Sequence, residues 1–307
     1  MTFLKDWKSR GCYGSGGIIE KGTLKMTNKK KTNKLVQPFV KWVGGKRQLL
    51  NEIEKYIPKS ITKYYEPFVG GGAVLLHTQP KNAIINDYNE ELINLYNIIK
   101  YYPNELIDDL KNHKNNEDYF YKIRALDRQK LEYNKLTNIQ KASRIIFLNK
   151  TCYNGLFRVN SSGEFNSPFG RYKKPNIVND ITVRAVSNYL LKNDIKILNM
   201  DYEKSLSNII KGSFVYFDPP YDPISESSNF TGYTKRGFDK TEQERLKFVC
   251  DKLNKKGVKF LLSNSSTDFI KELYKDYQII FIKSKRAINS KGNGRGEIDE
   301  VLIKNYE

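Results

Sequence analysis

The chain has 307 residues, 39% of them hydrophobic and 13% aromatic, enough to bury one large or two ordinary domains and too apolar for a disordered polymer. No stretch approaches the ~20 apolar residues of a membrane span, no apolar run precedes a small-residue cleavage site near the start, and three scattered cysteines (Cys12, Cys152, Cys250) exclude a disulfide framework, so a cytoplasmic protein without a membrane anchor is expected. Fifty-three Lys+Arg against 34 Asp+Glu give a net charge of +19, and the two histidines, His77 and His113, stand in no context that suits a metal site or a Ser-His-Asp triad. Residues 1–36 hold nine basic and two acidic side chains, so the basic excess also runs through the body of the chain. A polyanionic partner, DNA or RNA, accounts for it, and so does a general bias toward Lys and Asn; charge alone does not separate the two.

In chain order, residues 1–35 lack apolar periodicity, carry the run Lys29-Lys30-Lys31 and read as a flexible basic tail. Met26 follows Glu20-Lys21-Gly22-Thr23-Leu24-Lys25, and A-rich codons at Lys21-Gly22 would form a purine-rich ribosome-binding sequence. Residues 1–25 are therefore expected to be dispensable. A strand over Lys63–Phe68 runs into Gly70-Gly71-Gly72, a helix starts at Ala73, a second strand over 83–87 ends on Asp87, and helical spacing follows over 89–100. That order opens a doubly wound α/β sheet. Helical patterns at about 103–112, 117–132 and 138–150 then lead to two alternating runs around Ser161-Ser162-Gly163, read as a β-hairpin. Strand candidates resume at 195–199, 213–217, 258–262, 278–282 and 300–304, with a helix near 241–255. The expected organisation is an α/β domain from 36–100 and 191–307, interrupted by a mostly helical insertion at 101–190 that carries the hairpin.

The most informative motif is Asp218-Pro219-Pro220-Tyr221, directly after the apolar run Phe214–Phe217. Loops at the carboxyl ends of strands line the ligand crevice of an open α/β sheet. Two prolines fix the backbone and remove two N–H donors, leaving acceptors at the Asp218 carboxylate and the Pro219 carbonyl beside an aromatic ring. Two acceptors suit a planar NH2 group, whose lone pair is freed when both N–H bonds are held and the nitrogen becomes pyramidal. The Gly70–Gly72 loop allows close approach of a ligand, and Asp87 follows at the spacing of a ribose-binding acid. No Gly-Lys-Ser/Thr follows the loop, which excludes a P-loop. Trp42 and Lys46, in Trp42-Val43-Gly44-Gly45-Lys46, offer an aromatic wall and a cation, or a buried Trp beside a turn. The segment Asp222–Lys240 is expected to close over DNA, and Ser263-Asn264-Ser265-Ser266 to line the target pocket or cap a helix.

Together, Trp42–Lys46, Phe68–Gly72, Asn86-Asp87, Asn154-Gly155-Leu156-Phe157-Arg158-Val159-Asn160 and Asp218–Tyr221 resemble the Dam family of DNA adenine N6-methyltransferases. The order is that of the alpha class, and the likeness is greatest to the branch with DpnII-type GATC modification enzymes. It runs over about residues 36–307. The resemblance implies a methyltransferase sheet with an inserted target-recognition domain, S-adenosyl-L-methionine as methyl donor, no metal, and methylation of an adenine flipped out of duplex GATC. By it, Trp42 and Lys46 line the cofactor site with Lys46 near the methionine carboxylate, Phe68, Gly70 and Gly72 form its floor, Asp87 binds the ribose, and Asp201 and Tyr202 meet the cofactor adenine. Asp218, Pro219, Pro220 and Tyr221 form the catalytic turn, with Asp218 also adjoining the cofactor. Asn154, Leu156, Arg158 and Pro168 contact DNA, Arg158 reading a guanine. A companion restriction endonuclease is left open by the sequence, as is the oligomeric state. A cytosine-5 enzyme is disfavoured, because no cysteine follows a proline. The alternatives are an RNA or protein-glutamine methyltransferase, or a DNA-binding protein on the same fold without catalysis; the Arg158 hairpin argues for duplex DNA, and intact Asp218, Tyr221, Lys46 and Asp87 argue against loss of catalysis.

Overall fold

The computed structural model describes residues 32–224, 238–285 and 297–307. Most of the expected basic tail, the proposed start at Met26 and most of the Asp222–Lys240 segment lie outside the described residues.

The sheet has seven strands. These are β1 (Tyr64–Glu66), β2 (Ala83–Asn86), β3 (Lys196–Leu198), β4 (Phe214–Phe217), β5 (Lys259–Ser265), β6 (Gln278–Lys285) and β7 (Glu297–Lys304), in the spatial order β3-β2-β1-β4-β5-β7-β6. The first five run parallel, and β7 is inserted antiparallel between β5 and β6. Every residue of β1, β2 and β4 is buried, as expected of strands covered on both faces. Alternate residues feed two cores. Tyr64, Ile85, Phe214, Tyr216, Leu261 and Leu302 enter one, while Tyr65, Ile84, Val215, Phe217, Phe260, Leu262 and Ile303 enter the other.

The first core is closed by α1 (Leu50–Tyr56), α2 (Ala73–Thr78), α3 (Glu90–Tyr101), α4 (Pro103–Lys111), α5 (Glu117–Ala125), α7 (Asn138–Thr151) and α8 (Asp180–Lys192). A short α6 (Lys130–Lys135) lies between α5 and α7. The second core is closed by α9 (Tyr202–Ser205), α10 (Lys240–Lys255) and α11 (Asp268–Leu273). Among the described residues no helix is long and apolar enough to cross a membrane.

The helices of residues 101–190 are not separated from the sheet by a solvent layer: Phe120, Ile145 and Phe147 share a core cluster with Ile85 and Leu95. α8 spans position 190, where the sequence pattern places the end of the insertion. The helix expected over 117–132 is broken. α5 stops at Ala125 and a 3-10 turn, Leu126–Arg128, precedes α6. The break turns the Asp127 carboxylate toward the hairpin, where Oδ2 accepts from the backbone N–H of Phe165 at 2.7 Å and pairs with the buried Arg144 at 2.7 Å. A tertiary contact thus overrides helical periodicity. The expected hairpin is present as a tight turn with one bridge, Val159 to Phe165, rather than as two strands. Asn160 organises its tip, accepting from the N–H groups of Ser162 and Glu164 at 3.1 and 2.9 Å. The backbone N–H of Asn166 donates to Arg158 O at 2.7 Å, and the Arg128 side chain donates to the Phe165 carbonyl at 2.8 Å.

Register fixes where the loops emerge. Tyr65 pairs with Ile84 on one side and Val215 on the other, so the carboxyl ends of β1, β2 and β4 open at the same edge of the sheet. Strand order reverses between β1 and β4, the topological switch at which crevices form in such sheets.

Candidate active site

A cleft of about 1340 Å³ opens at this switch. Its first wall is the glycine loop after β1. Gly70 and Gly72 have φ of +48° and +70°, a region that suits glycine, and a Cβ on Gly72 would sit 2.5 Å from the Tyr96 hydroxyl. The Asp87 carboxylate ties this loop to the end of β2. Its Oδ2 accepts from Gly70 N–H at 3.0 Å and its Oδ1 from Asn89 N–H at 2.9 Å. Burial raises the Asp87 carboxyl above its ordinary value, opposed by these N–H donors. Asn86 laces three strand ends together, donating to Pro67 O and Met200 O and accepting from Met200 N–H, each at 3.0 Å.

The second wall is the segment before α1. Trp42 packs on the loop, so that a Cβ on Gly71 would lie 3.0 Å from the Trp42 Cβ. Its ring stacks on Phe157 with centroids 4.4 Å apart and planes at 22°. Asn149, buried at the end of α7, makes this possible. Its Oδ1 accepts from Lys41 N–H at 2.9 Å, and its Nδ2 donates to Lys41 O at 2.8 Å and to Gly155 O at 3.0 Å. One amide thereby joins the Trp42 segment to the loop at Gly155.

At the centre lies the turn after β4. Lys46 Nζ, 6% exposed, sits 2.8 Å from Asp218 Oδ1, donates to Gly44 O and lies 4.6 Å from the Tyr221 ring centroid. Ser263 Oγ donates to the same Oδ1 at 3.0 Å and is itself 3.0 Å from the Tyr216 hydroxyl. Both donors converge on Oδ1, and among the described residues no hydrogen bond reaches Oδ2. Burial raises the Asp218 carboxyl, while Lys46 and Ser263 pull it down. Beneath it, Glu66 at the end of β1 is 2% exposed and accepts from the Tyr64 hydroxyl at 2.7 Å. Burial pushes Glu66 up to about 8, with Asp218 adding to the rise. At neutral pH Glu66, raised to about 8, holds a proton.

The far end of the cleft is aromatic. Phe68 packs against Tyr202 at 5.1 Å and Phe238 at 5.8 Å. Arg245 of α10 lies over the Tyr202 ring at 4.7 Å and grips the Asp201 carboxylate through both terminal nitrogens, at 2.9 and 2.7 Å. Asp201 also caps α9 through Glu203 N–H and Lys204 N–H. Against the upward push of partial burial, Arg245 holds its carboxyl below the ordinary range.

The cleft therefore brings together Trp42, Lys46, Phe68, Gly70, Asp87, Asp201, Tyr202, the whole Asp218–Tyr221 turn, Asn154 and Leu156. Gly72, Arg158 and Pro168 are not on its wall. Gly72 faces Tyr96 behind the loop, Arg158 is exposed on the hairpin with Nη2 donating to Asn166 O at 3.0 Å, and Pro168 lies exposed at the hairpin base, accepting from Tyr153 N–H at 2.8 Å. Of residues 263–266 only Ser265 reaches the cleft wall, and the cap of α11 is Thr267 rather than a serine. Glu66, Arg245, Glu300 and Asn149 are site residues that the sequence motifs do not reveal. Glu66 has a visible signal, an acid closing a strand of otherwise buried residues; the others are brought in by contacts distant in sequence.

A family model described as D12 class N6 adenine-specific DNA methyltransferase matches residues 42–288. The chain is 43% identical over 285 residues to the Type II methyltransferase M1.LlaDCHI of Lactococcus lactis subsp. cremoris, covering 92% of this chain and 99% of that protein. It is 44% identical over 295 residues to the Type II methyltransferase M.MjaIII of Methanocaldococcus jannaschii, covering 88% and 99%. To the DNA adenine methylase of Serratia marcescens it is 34% identical over 270 residues, covering 86% and 96%.

Proposed function

The chain belongs to the D12 class N6 adenine-specific DNA methyltransferases, and from that premise we propose that it transfers the methyl group of S-adenosyl-L-methionine to the adenine N6 of GATC in duplex DNA, reaching the base by flipping. The observation that carries the reading is the acceptor pair at the cleft centre: Asp218 with its Oδ1 already filled by Lys46 and Ser263, and the neighbouring Pro219 carbonyl on a proline-fixed turn.

An adenine amine placed there donates one N–H to Asp218 Oδ2 and one to Pro219 O. Its lone pair is then drawn out of conjugation toward the cleft. Tyr221 offers a face on which the base stacks, and the proton released by the methylated amine passes to Asp218 or to water. When bound, S-adenosyl-L-methionine supplies a methyl already activated on a sulfonium, so the protein contributes position and polarity. The residues fit it: a cleft of about 1340 Å³, a glycine loop without side chains of its own in the way, and Asp87, at the end of β2 and bonded to that loop, toward the ribose. Lys46 uses two donors on Asp218 and Gly44, leaving its third N–H for the methionine carboxylate. Phe68, Tyr202, Asp201 and Trp42 would enclose the adenine end.

Residues 101–190 are proposed as the target-recognition domain, with Asn154, Leu156, Arg158 and Pro168 toward DNA. The assignment of GATC rests on the likeness of the Asn154–Asn160 run to GATC-modifying enzymes. Higher identity to two Type II methyltransferases than to the DNA adenine methylase favours a role beside a restriction endonuclease in the cytoplasm.

Tritiated methyl transfer onto a GATC duplex, a duplex with the site scrambled, and RNA of the same sequence tests this directly. Incorporation into the GATC duplex alone is expected. Equal incorporation into the scrambled duplex would overturn the specificity, incorporation into RNA alone would make it an RNA enzyme, and none at all would leave a DNA-binding protein without catalysis.

A further inference from the structure

α10 buries an apolar stripe of Leu246, Val249, Cys250 and Leu253, and at the same depth it buries a glutamine, Gln243, with no exposed surface. Opposite it on β5 lies Asn264, also without exposed surface. Two primary amides in a core are costly unless they are hydrogen-bonded, so their partners indicate what they hold. Gln243 Nε2 donates to Pro220 O at 2.9 Å. Gln243 Oε1 accepts from Asn264 Nδ2 at 3.0 Å. Asn264 Oδ1 accepts from Asp222 N–H at 3.1 Å and from Ser265 N–H at 2.8 Å.

The Pro220 carbonyl and the Asp222 N–H belong to the two peptide groups that flank Tyr221. The amide pair therefore closes a ring around that residue. Its hydroxyl is anchored separately, donating to Glu300 Oε2 at 2.8 Å. The bracket is reinforced beyond Tyr221 by Ser265 Oγ, which donates to Asp222 O at 2.7 Å, and by Thr267 Oγ1, which donates to Asp222 Oδ2 at 2.6 Å. The prolines make such support necessary, since neither Pro219 nor Pro220 has an N–H with which to brace the turn. The bracket is also selective. It takes the Pro220 carbonyl, while the Pro219 carbonyl has no hydrogen-bond partner among the described residues.

We propose that Gln243 and Asn264 form a two-amide clamp that sets the Tyr221 ring and the carbonyl direction of the catalytic turn, and so act as positioning residues for adenine methylation. This rests on the reading of Asp218–Tyr221 as the catalytic turn. Neither amide lines the cleft, so neither touches substrate; both act through the turn. A small misplacement of a reacting group can cost a hundredfold in rate, so the clamp should be felt in turnover rather than in ligand affinity.

Gln243→Met keeps the volume and removes both hydrogen bonds. It should lower kcat at saturating S-adenosyl-L-methionine and GATC duplex by at least about tenfold, with the equilibrium Kd for each ligand within about twofold of the parent, at a temperature where circular dichroism shows the variant fully folded. Asn264→Leu keeps the volume and removes both the donor to Gln243 and the acceptor for Asp222 N–H. It should share the kcat defect, and it decides the matter if Gln243→Met does not fold. A folded variant with parental kcat, or one whose loss lies wholly in Kd, overturns the clamp. Asp218→Ala is assayed in parallel. If it retains turnover, the reading of the catalytic turn falls and the clamp with it; if it is inactive while Gln243→Met keeps parental kcat, only the clamp falls.

Discussion

Replacing Glu66 by glutamine tests the electrostatics beside the Asp218–Tyr221 turn. Glu66 is 2% exposed, and its carboxyl accepts from the Tyr64 hydroxyl at 2.7 Å. Burial raises it from 4.5 to about 8. Between those limits the folded chain holds a proton that the unfolded chain has released. The stability contributed by Glu66 is therefore full below about pH 4.5 and is lost as the pH rises through about 8. At about 1.4 kcal/mol per pH unit, the whole window is worth up to about 5 kcal/mol. The amide of the Glu66→Gln variant would keep the shape and the bond from Tyr64 but has no proton to lose. Urea unfolding of both proteins from pH 5 to pH 9 should show the difference in stability moving steadily in favour of Glu66→Gln, by several kcal/mol, and levelling off above about pH 8. A constant offset at low pH only reports the packing of the amide. Parallel stability curves across the whole range would refute the reasoning, since they would mean that Glu66 is ionised in the folded protein throughout.

Three further outcomes follow from the site. Asp218→Ala should lower methyl transfer by about 10²–10³, the loss typical of removing one preorganised hydrogen-bonding group from a reacting centre, while DNA binding in a gel-shift assay is retained. Arg158→Ala should relax the preference for one guanine by about 1–3 kcal/mol when kcat/KM is compared across single-base variants of GATC; a uniform loss on every duplex would make Arg158 a phosphate contact instead. Arg245→Met removes the half-exposed pair with Asp201, worth up to about 1 kcal/mol, and should raise the Kd for S-adenosyl-L-methionine by up to about fivefold in equilibrium titration with kcat unchanged.

Local chemistry is legible in the sequence wherever a structural requirement falls on neighbouring residues. A buried strand followed by Asp218-Pro219-Pro220-Tyr221, a glycine loop followed by Asp87, and the alternation of strands and helices each state their constraint within a few positions. The β/α order and part of the cleft lining are readable from them, because backbone geometry and alternating burial act at short range. Helix α8 goes unrecognised at that level and runs across position 190, where the sequence pattern ends the insertion. The break after Ala125 is invisible because the partner of Asp127 is Phe165, 38 residues further on.

The same limit applies at the site. Tertiary structure alone places β7 between β5 and β6, sets Trp42 against Phe157 through Asn149, and closes Gln243 on Asn264 around Tyr221. A glutamine on an amphipathic helix or an asparagine late in a strand looks like a surface residue until the chain has folded. What each amide bonds to is decided by which elements the sheet order brings side by side, and that order is fixed by the joint burial of two cores rather than by any single segment. Hence the order of residues along the chain names the proposed reacting groups and the loops that carry them, whereas packing decides that Lys46 and Ser263 both meet Oδ1 of Asp218 and what holds Tyr221 in place.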